Sequence, residues 1–382
     1  MFKSMLVKVF AIVMILTMLA SCAPAATPAP AAPAAPAATA APAVAGCDPA
    51  KTYKVALVIG QLGDKSFLDA AARGIKMVND SIKNVETKII ENNDVGEQQL
   101  AARAMADQGY DLVITIGYGS ADWTTQIATE YPKTWFAIVD STLNDKDGNP
   151  LPNGTGLTFR EDEGSFTVGM VAAFLSKTGK IGYIGGMDVP LLHRFEQGFI
   201  QGAKYVNPKI EVTSGWVGAF DNPNKGKELA LTQFAEGADI LYAAAGKSGE
   251  GVLQASKEQG KFSIGVDSDQ DYMQPGSVIT SMLKRVDLAV LGQVQDLVAC
   301  KLTKGTRVFG LKEGGVGSTF LYADTTEFLK SGPADMVKIL KDTAIPATKK
   351  AVEEIKAGTM CVVDSMTIFP CDKPAAAGGY KP

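Results

Sequence analysis

The chain is poor in the residues that many catalytic and metal sites require. It has one histidine and five cysteines in 382 residues. No G-x-S-x-G elbow, H-E-x-x-H motif or P-loop occurs, and the cysteine spacing matches no zinc motif. There is no basic run, and the formal net charge is −4. These absences argue against a triad hydrolase, a zinc enzyme and a protein that binds a nucleic-acid backbone.

The first 22 residues have the features of a bacterial export signal. Lys3 and Lys8 flank the apolar run "VFAIVMILTMLA", which is too short to be a stable transmembrane helix. The segment ends in "LASC", which resembles a lipobox, so residues 1–22 are predicted to be a lipoprotein signal peptide with Cys22 as the lipidated residue. A plain signal peptide cleaved beyond "CAPAA" is the alternative. Two or more acyl chains on Cys22 would hold the protein on a membrane, whereas one would not.

Residues 23–50 are predicted to be a linker. The run from 23 to 46 is almost entirely alanine and proline, a composition that cannot bury a core and favours extended polyproline II backbone. It indicates a stalk between a membrane anchor and a folded domain. The other four cysteines allow three pairings, and we expect at least one disulfide to tie down the C-terminal tail; they are Cys47, Cys300, Cys361 and Cys371.

From residue 53 onward, short β-rich runs alternate with helical patterns of 10–15 residues. Such alternation predicts βαβ units with parallel sheets, and two successive runs of similar size predict two doubly wound, Rossmann-like α/β lobes. The predicted strands are "YKVALVI", "VETKII", "DLVITIG", "WFAIVD", "KIGYIG", "IEVTSGWV", "DILYAAA", "FSIGVD", "SVITSMLK" and "TRVFGLKEGGVGS".

The regular alternation of strands and helices ends after "GVD". This change predicts that the chain crosses between the lobes more than once. We expect an N-terminal lobe from residues 51–158 plus about 285–312, and a C-terminal lobe from residues 159–284 plus about 313–330. Residues 331–382 are expected to form C-terminal helices and a cysteine-containing tail.

Ligands of open α/β sheets bind beyond the carboxyl ends of the strands, and this rule selects the candidate binding residues. The selected positions provide carboxylates, one lysine, aromatic rings and a glycine, which suit a polyol joined to a flat heterocycle. The candidates are Asp64, Phe67, Asp140, Asp188, Phe195, Gly246, Asp267 and Lys284.

Each candidate also has a purely structural explanation. Phe67 and Phe195 fit core packing, Asp140 and Asp188 fit the capping of a following helix or turn, and Lys284 fits surface charge. The run "DSDQD", from Asp267 to Asp271, is similar to the start of a calcium loop, but the glycine and glutamate of an EF-hand are missing. The single histidine, His193, has neighbours typical of a structural or pocket-rim residue. We predict no metal site and no cofactor.

Residues 52–318 resemble the basic membrane protein (PnrA-like) family, substrate-binding lipoproteins of ABC transporters. The most specific stretches are "GGMDVPLLHRFEQGF" and "GVDSDQ" with "LKR"; others are "GDKSFLDAAARGIK", "ADQGYDLVITIGYGSAD", "FAIVDS", "LTFREDEGSF" and "VGAFDNPNKGKELA". The resemblance implies a periplasmic-binding-protein type I fold, with two lobes joined by a three-stranded hinge. It also implies a monomer that is not an enzyme, sits on the extracytoplasmic face of the cell membrane and delivers its ligand to a permease.

The same resemblance implies a nucleoside ligand, most often a purine nucleoside. Phe67 and Phe195 would sandwich the base, Asp267 and Lys284 would hold the ribose hydroxyls, and Asp140 would bond the base or sugar from the first lobe. Gly246 would offer backbone near the ribose.

One position departs from the family pattern. Related sequences commonly carry asparagine after the phenylalanine of "DKSF", where this chain has Leu68. Leucine cannot bond the edge of a base, so a replacement contact would come from elsewhere, with Asp64 and Asp69 as candidates. Two other functions stay open: a binding protein of the same fold that recognises a sugar or signalling molecule for a sensor, and an extracytoplasmic nucleoside hydrolase.

Overall fold

The computed structural model describes residue 48, residues 50–323 and residues 326–381. The predicted signal peptide, nearly all of the linker, Cys22 and Cys47 lie outside the described residues. Within the described part of the chain, no helix is both long enough and apolar enough to cross a membrane.

The first sheet contains six strands in the order β11-β5-β4-β3-β1-β2, and its neighbouring strands pair in parallel. Its central strands are almost fully buried, as expected for a parallel sheet covered on both faces. The strands are β1 (Tyr53–Ile59), β2 (Val85–Glu91), β3 (Leu112–Ile116), β4 (Trp135–Val139), β5 (Gly154–Phe159) and β11 (Gly305–Phe309). The helices connected to this sheet are α1 (Phe67–Ser81), α2 (Val95–Asp107), α3 (Ala121–Glu130) and α8 (Val286–Val298).

The second sheet also contains six strands, in the order β12-β10-β9-β8-β6-β7. Pairing is parallel except at the edge, where β12 runs antiparallel to β10. The strands are β6 (Lys180–Gly185), β7 (Glu211–Trp216), β8 (Ile240–Ala244), β9 (Phe262–Asp267), β10 (Val278–Lys284) and β12 (Val316–Ser318). The helices around this sheet are α4 (Glu161–Leu175), α5 (Pro190–Val206), α6 (Pro223–Ala235) and α7 (Gly249–Glu258).

The predicted pair of α/β lobes is confirmed by these two sheets, which belong to one compact unit. The chain passes from one sheet to the other three times. The passages lie between β5 and α4, between β10 and α8, and between β11 and β12. Three adjacent connections of this kind are the expected hinge of a two-lobed binding protein.

Two local predictions need correction. Residues Gly154–Phe159 form strand β5, which the sequence pattern did not indicate, because this short run follows a turn-rich loop and contains two glycines. The stretch "TRVFGLKEGGVGS" was expected to be one strand but forms two, β11 and β12, in different sheets. Its internal glycines, Gly310, Gly314 and Gly315, occupy the turn between them.

Helices α4 and α5 lie against each other at unusually close range. A Cβ atom on Gly202 would lie 2.0 Å from the carbonyl oxygen of Phe166, and one on Gly169 would lie 2.2 Å from that of Phe199. Only glycine at these two positions permits this approach of the helix backbones. The approach brings the N-terminal turn of α4 next to the first half of α5, where Arg194 lies.

After β12 the chain continues as short helices and an irregular tail. The helices are α9 (Thr319–Tyr322), α10 (Glu327–Ser331), α11 (Ala334–Ile339), a π-helical turn (Leu340–Ala344) and α12 (Ile345–Lys356). In the tail, a disulfide joins Cys361 to Cys371 across ten positions. Cys300 is also disulfide-bonded.

Candidate functional site

Two candidate acids lie at the carboxyl ends of strands, and their backbone is in the left-handed region. Asp140 follows β4 in the first sheet with φ +67°, and Asp267 ends β9 in the second sheet with φ +63°. A non-glycine residue in the left-handed region is uncommon, although aspartate tolerates it better than most residues. Such backbone persists where the surrounding structure fixes it, and it concentrates at functional sites.

Lys284, the last residue of β10, is fully buried and paired with one acid of the first lobe and one at the start of α4 in the second. Its Nζ lies 2.7 Å from Asp140 Oδ1 and 2.9 Å from Glu161 Oε1. Asp140 extends from the first sheet, and Glu161 is the first residue of α4. The three side chains therefore form a charged group where the two sheets meet.

Three aromatic rings surround the same ammonium group. The distances from Lys284 Nζ to the ring centroids are 4.9 Å for Phe67, 5.1 Å for Phe159 and 5.3 Å for Phe195. These separations are within the range of cation–π attraction. Phe67 is half-buried at the start of α1, whereas Phe195 on α5 is only 4% exposed. The structure thus brings together the two rings that the sequence predicts as stacking partners.

Asp140 and the nearby Asp267 have raised pKa values. Burial raises the pKa of Asp140 to about 6, against the opposing attraction of Lys284. Burial likewise raises the pKa of Asp267 to about 7, again opposed by Lys284 and by the Ser66 hydroxyl. Burial acts to lower the pKa of Lys284, but Asp140, Glu161 and Asp267 together raise it above its ordinary value. The lysine is therefore charged, while Asp140 and Asp267 titrate near neutral pH.

Asp267 connects the second lobe to the loop that precedes α1. Its Oδ2 accepts a hydrogen bond from Ser66 Oγ at 2.6 Å. The hydroxyl of Ser268 donates to the Ser66 carbonyl at 2.8 Å, and Lys65 Nζ lies 3.2 Å from Glu250. The two lobes thus meet directly beside the lysine group, in a closed arrangement.

A cavity of about 540 Å³ lies between the lobes, and Asp267, which acts electrostatically on Lys284, lines part of it. Leu283 and Arg285 line it, so it lies on the opposite side of the end of β10 from the Lys284 side chain. Its other lining residues carry balanced charges; they are Lys65, Asp69, Arg73, Ser268, Asp269 and Tyr272. Asp267 therefore has solvent-accessible space beside it although its side chain is buried.

Asp64 is engaged within its own loop rather than aimed at the lysine. Its carboxylate accepts hydrogen bonds from the backbone N–H groups of Ser66, Leu68 and Asp69. Burial raises the pKa of Asp64, although these backbone bonds oppose the shift. Asp69 accepts in turn from the N–H groups of Gly63 and Lys65. Both acids that could replace the missing asparagine contact thus hold the shape of this loop.

Asp188 pairs with the histidine. Asp188 Oδ1 is 2.9 Å from His193 Nε2, and Glu196 Oε2 is 2.7 Å from His193 Nδ1. The Trp216 ring meets the imidazole edge-on at 4.8 Å. The bond to Glu196, followed by that to Asp188, raises the pKa of His193. This arrangement stabilises the start of α5, and the Asp188 side chain is 67% exposed.

Gly246 lies at the carboxyl end of β8 beneath an aromatic ring that the sequence reasoning did not single out. A Cβ atom on Gly246 would lie 3.6 Å from Phe220 Cδ1, and one on Gly186 would lie 2.3 Å from the same atom. Phe220 is 40% exposed, so one part of its ring is covered by glycine backbone and another part is free. It follows β7, the edge strand of the second sheet.

The acids of "DSDQD" serve internal hydrogen bonds. Asp269 Oδ1 accepts from the Asp271 backbone N–H, and Asp271 accepts from the hydroxyls of Ser281 and Thr319. Among the described residues, no cluster of three or more histidine, cysteine or acidic side chains is arranged to hold a metal ion.

Sequence reasoning missed three residues that the structure places at the site: Phe159, Glu161 and Phe220. Glu161 and Phe159 flank the end of β5, a strand that was not predicted, so the strand-end rule did not reach them. Phe220 lies four residues beyond β7. A search for aromatic residues just past strand ends would have found it.

Comparison with known proteins agrees with this geometry. The family model for ABC transporter substrate-binding proteins of the PnrA-like type matches residues 52–357. The chain belongs to the PnrA-like family of substrate-binding proteins. This result confirms the resemblance predicted from the sequence motifs.

Individual relatives extend the PnrA-like assignment. Basic membrane protein A1 of Borrelia garinii subsp. bavariensis is 35% identical over 270 residues, covering 69% of this chain and 79% of the relative. The CD4+ T-cell-stimulating antigen of Listeria monocytogenes is 31% identical over 291 residues, covering 70% of this chain and 80% of the relative. A solved ABC transporter solute-binding protein from Aeropyrum pernix K1 has a TM-score of 0.71 and 27% identity, covering 82% of this chain and 93% of that structure.

Proposed function

We propose that this PnrA-like protein is a lipid-anchored, extracytoplasmic binding protein that takes up a nucleoside between its lobes and delivers it to an ABC permease. A purine nucleoside is the preferred ligand in this proposal, and the protein acts as a monomer. The family membership supports the transport role, and the arrangement around Lys284 supports the ligand class.

The observation that carries the ligand class is the meeting of one buried cation, two rings and two acids at facing sheet edges. The ammonium of Lys284 and the carboxylates of Asp140 and Asp267 offer donors and acceptors to ribose hydroxyls. Phe67 and Phe195 offer ring faces to a base. Ordered polar groups in a water-excluding site give stronger hydrogen bonds than the same groups in solvent.

Phe220 adds a third ring to this proposal. Its exposed part and its place over Gly186 and Gly246 make it available to a base in the present closed arrangement. Phe195 is almost completely covered by protein, so its ring would contact a base after a small displacement of its neighbours. The proposed base site is therefore bounded by Phe67 from the first lobe and by Phe195 and Phe220 from the second.

Leu68 bears on the choice of base. In the structure its side chain lies near Gly60 at the end of β1, among residues packed against the core. Asp64 and Asp69 already accept backbone hydrogen bonds that hold this loop, so a base edge would have to use their remaining acceptor sites. The proposal therefore expects weaker discrimination among bases than an asparagine at this position would give.

The membrane attachment in this proposal depends on Cys22. The "LASC" sequence supports lipidation there, and the alanine- and proline-rich run supports a spacer between the anchor and the lobes. Mass spectrometry of the N-terminal peptide from membrane fractions tests it. A diacylated or triacylated Cys22 is expected, whereas an N-terminus beyond the "CAPAA" run would contradict the anchor.

Native mass spectrometry of gently purified protein tests the ligand class. We expect a bound species with the mass of a nucleoside, and calorimetric titration with inosine should then give a saturable 1:1 isotherm. Recovery of a hexose with no base-containing compound would overturn the nucleoside proposal in favour of a sugar-binding protein. Incubation with inosine should release no free base, because the proposed role leaves the ligand unchanged.

A further inference from the structure

The C-terminal loop from Cys361 to Cys371 lies outside the part of the chain that matches the family model, which ends at residue 357. The disulfide closes this loop at its base. The loop is docked on α5, since Gln201 donates to the Val363 carbonyl at 2.9 Å and accepts from the Val363 N–H at 2.9 Å. Val362 beneath it is fully buried in the core.

Asp364 is the centre of this loop and its side chain is fully buried. Its oxygens accept backbone hydrogen bonds from Met366, Ile368 and Phe369, which fold the loop around the carboxylate. The same carboxylate takes two hydrogen bonds from the Arg194 guanidinium, from Nε at 2.8 Å and from Nη2 at 3.3 Å. Asp364 thus links the loop covalently closed by the disulfide to a buried arginine of α5.

From Arg194 an unbroken series of ion pairs leads to the proposed ligand site. Arg194 Nη1 lies 3.1 Å from Glu161 Oε2, and Lys284 Nζ lies 2.9 Å from the other oxygen, Glu161 Oε1. Lys284 in turn contacts Asp140 at 2.7 Å. The series has alternating charge along its whole length, and each of its charged side chains is at most 4% exposed. Glu161 holds both cations at once, one on each oxygen.

We infer that Asp364 is a positioning residue for ligand binding, and that the disulfide-closed loop from Cys361 to Cys371 fixes Lys284 through Arg194 and Glu161. This inference rests on the proposed ligand site around Lys284. Asp364 touches no ligand itself. Its role is to share Arg194 with Glu161, so that one oxygen of Glu161 stays available to Lys284.

The physical reason is the competition of two cations for one carboxylate. With Asp364 neutralised, Glu161 is the acid still in direct contact with Arg194, because nearby Asp162 is held by Arg160, and Arg194 draws Glu161 more strongly to itself. Lys284 then pairs mainly with Asp140. Its ammonium group moves away from the position in which it would donate a hydrogen bond to a ligand hydroxyl. The less compensated charge of Arg194 also lowers the pKa of Asp140, because Arg194 already acts on Asp140 in that direction.

The decisive comparison uses four variants in the full chain. Asp364→Asn removes the charge with little change of shape, and Asp364→Glu keeps the charge. Asp372→Asn is the matched control, because it removes the same charge from an exposed position next to Cys371. The double change Cys361→Ser with Cys371→Ser opens the loop and leaves Cys300 in place.

The probe is inosine, titrated calorimetrically between pH 5.5 and 8.5. Asp364→Asn should bind inosine about five- to tenfold more weakly at neutral pH, a typical strength of coupling between linked sites. The acidic midpoint of its binding curve should move to lower pH, since Asp140 then titrates at lower pH. Asp364→Glu should keep the wild-type midpoint, the serine pair should follow Asp364→Asn to a smaller extent, and Asp372→Asn should match the wild type.

A second readout makes the inference independent of the ligand. The side-chain carboxyl resonance of Asp140, followed by NMR in ligand-free protein, should titrate at lower pH in Asp364→Asn than in Asp372→Asn. Equal titration in both would overturn the inference, as would equal losses of affinity in Asp364→Asn and Asp364→Glu without a change of midpoint. If wild-type protein does not bind inosine, the nucleoside proposal fails, and the carboxyl titration alone then decides whether the loop acts on Lys284 and its partners.

Discussion

Lys284 reaches across 144 positions of the chain to Asp140, with both carboxylate oxygens 2.7 Å from its ammonium nitrogen. The lysine ends a strand of the second sheet, and the aspartate follows a strand of the first. This one ion pair therefore joins the carboxyl end of β10 in the second sheet to the carboxyl end of β4 in the first. Because both side chains are buried, the pair lies in a region of low effective dielectric, where its loss leaves the remaining charge unsolvated.

Replacement of Lys284 by methionine should destabilise the protein strongly. It would leave buried Asp140 without its cation and Glu161 with Arg194 alone, and removal of one partner from a buried pair typically costs about 3–5 kcal/mol. Urea denaturation should show this loss. Addition of Asp140→Asn to Lys284→Met should recover part of it, because the second change removes one uncompensated charge.

Lys338→Met is the matched control for this experiment. Lys338 pairs with Asp342 on an exposed helix face, and surface pairs of this kind contribute about 0–1 kcal/mol. Its unfolding curve should stay close to that of the wild type. Lys284→Met with wild-type stability would contradict the buried-pair interpretation.

The ligand-free protein should become less stable as the pH rises from 5.5 to 8. The pKa values of Asp140, Asp267 and Asp271 in the folded state are about 6, 7 and 7, each raised primarily by burial. Folding therefore favours the protonated acids; their stabilisation is complete below the unfolded pKa near 4 and is lost as the pH passes the folded values. Asp267 alone should account for a decrease on the order of 2 kcal/mol in the free energy of unfolding across this range.

The variant Asp267→Asn should have a flatter stability profile over the same pH range. Asp80→Asn, at an exposed site paired with Lys76, should retain the wild-type slope. Denaturant midpoints at four pH values between 5.5 and 8 measure the effect. A wild-type profile that rises with pH would show that these acids are ionised at little energetic cost in the folded protein.

Replacing each of the three rings around the proposed base site should affect inosine affinity and stability to different extents. Phe67→Ala and Phe220→Ala should weaken inosine binding by about 1–3 kcal/mol, the usual contribution of stacking on one base. Phe220 is 40% exposed, so its removal should leave the unfolding transition nearly unchanged. Phe195→Leu preserves most of the buried volume and tests the third ring without opening a large cavity.

Calorimetry and thermal unfolding on the same preparations separate binding from folding. Tyr322→Ala, on α9, is the control for loss of a half-exposed aromatic; because the Tyr322 hydroxyl donates to the Val316 carbonyl, this variant should unfold earlier but keep its inosine affinity. Full affinity in Phe195→Leu together with loss of affinity in Phe220→Ala would assign the second stacking ring to Phe220. Unchanged affinity in Phe67→Ala would remove the base from this part of the cleft.

Gly202→Ala should disturb the contact between α4 and α5. Its Cβ atom would lie 2.0 Å from the Phe166 carbonyl oxygen, and a backbone neighbour cannot rotate away. We expect a loss of about 1–3 kcal/mol from overpacking. Inosine affinity should fall with it, because separating these helices moves Glu161 relative to Arg194.

Gly292→Ala, in the middle of α8, is the control for this substitution. A Cβ there meets only the end of the Arg307 side chain at 3.7 Å, an ordinary contact. Alanine favours a helix interior over glycine by about 0.5–1 kcal/mol, so this variant should be as stable as the wild type or more stable. Thermal unfolding of both variants checks the pair, and equal stability of Gly202→Ala and Gly292→Ala would contradict the close approach.

The sequence pattern was sufficient for the two sheets and for the edge at which the candidate residues meet. Alternating strands and helices are local signals, and the ends of parallel strands necessarily share one edge of a sheet. For this reason Asp140, Asp267 and Lys284 could be selected before their contacts were known. Strand β5 was not predicted, because its two glycines weaken the strand pattern of a short run that follows a turn-rich loop.

The partners of these residues could not be found in the same way. Arg194 bonds Glu161 across 33 positions and Asp364 across 170. Such pairs depend on how the helices and the C-terminal tail pack against each other. The periodicity of the sequence carries no information about that packing. The role of Asp64 was likewise hidden, since a carboxylate that caps a loop and one that faces a ligand look alike in sequence.

The order in which the strands are synthesised has a consequence for how the protein is made. In the first sheet, β5 pairs on one side with β4 and on the other with β11, which begins at Gly305. During translation, the outer edge of β5 therefore stays open until nearly the whole second sheet has left the ribosome. An unpaired strand edge invites pairing with other chains. The nascent chain thus carries an aggregation-prone border that closes only when β11 arrives.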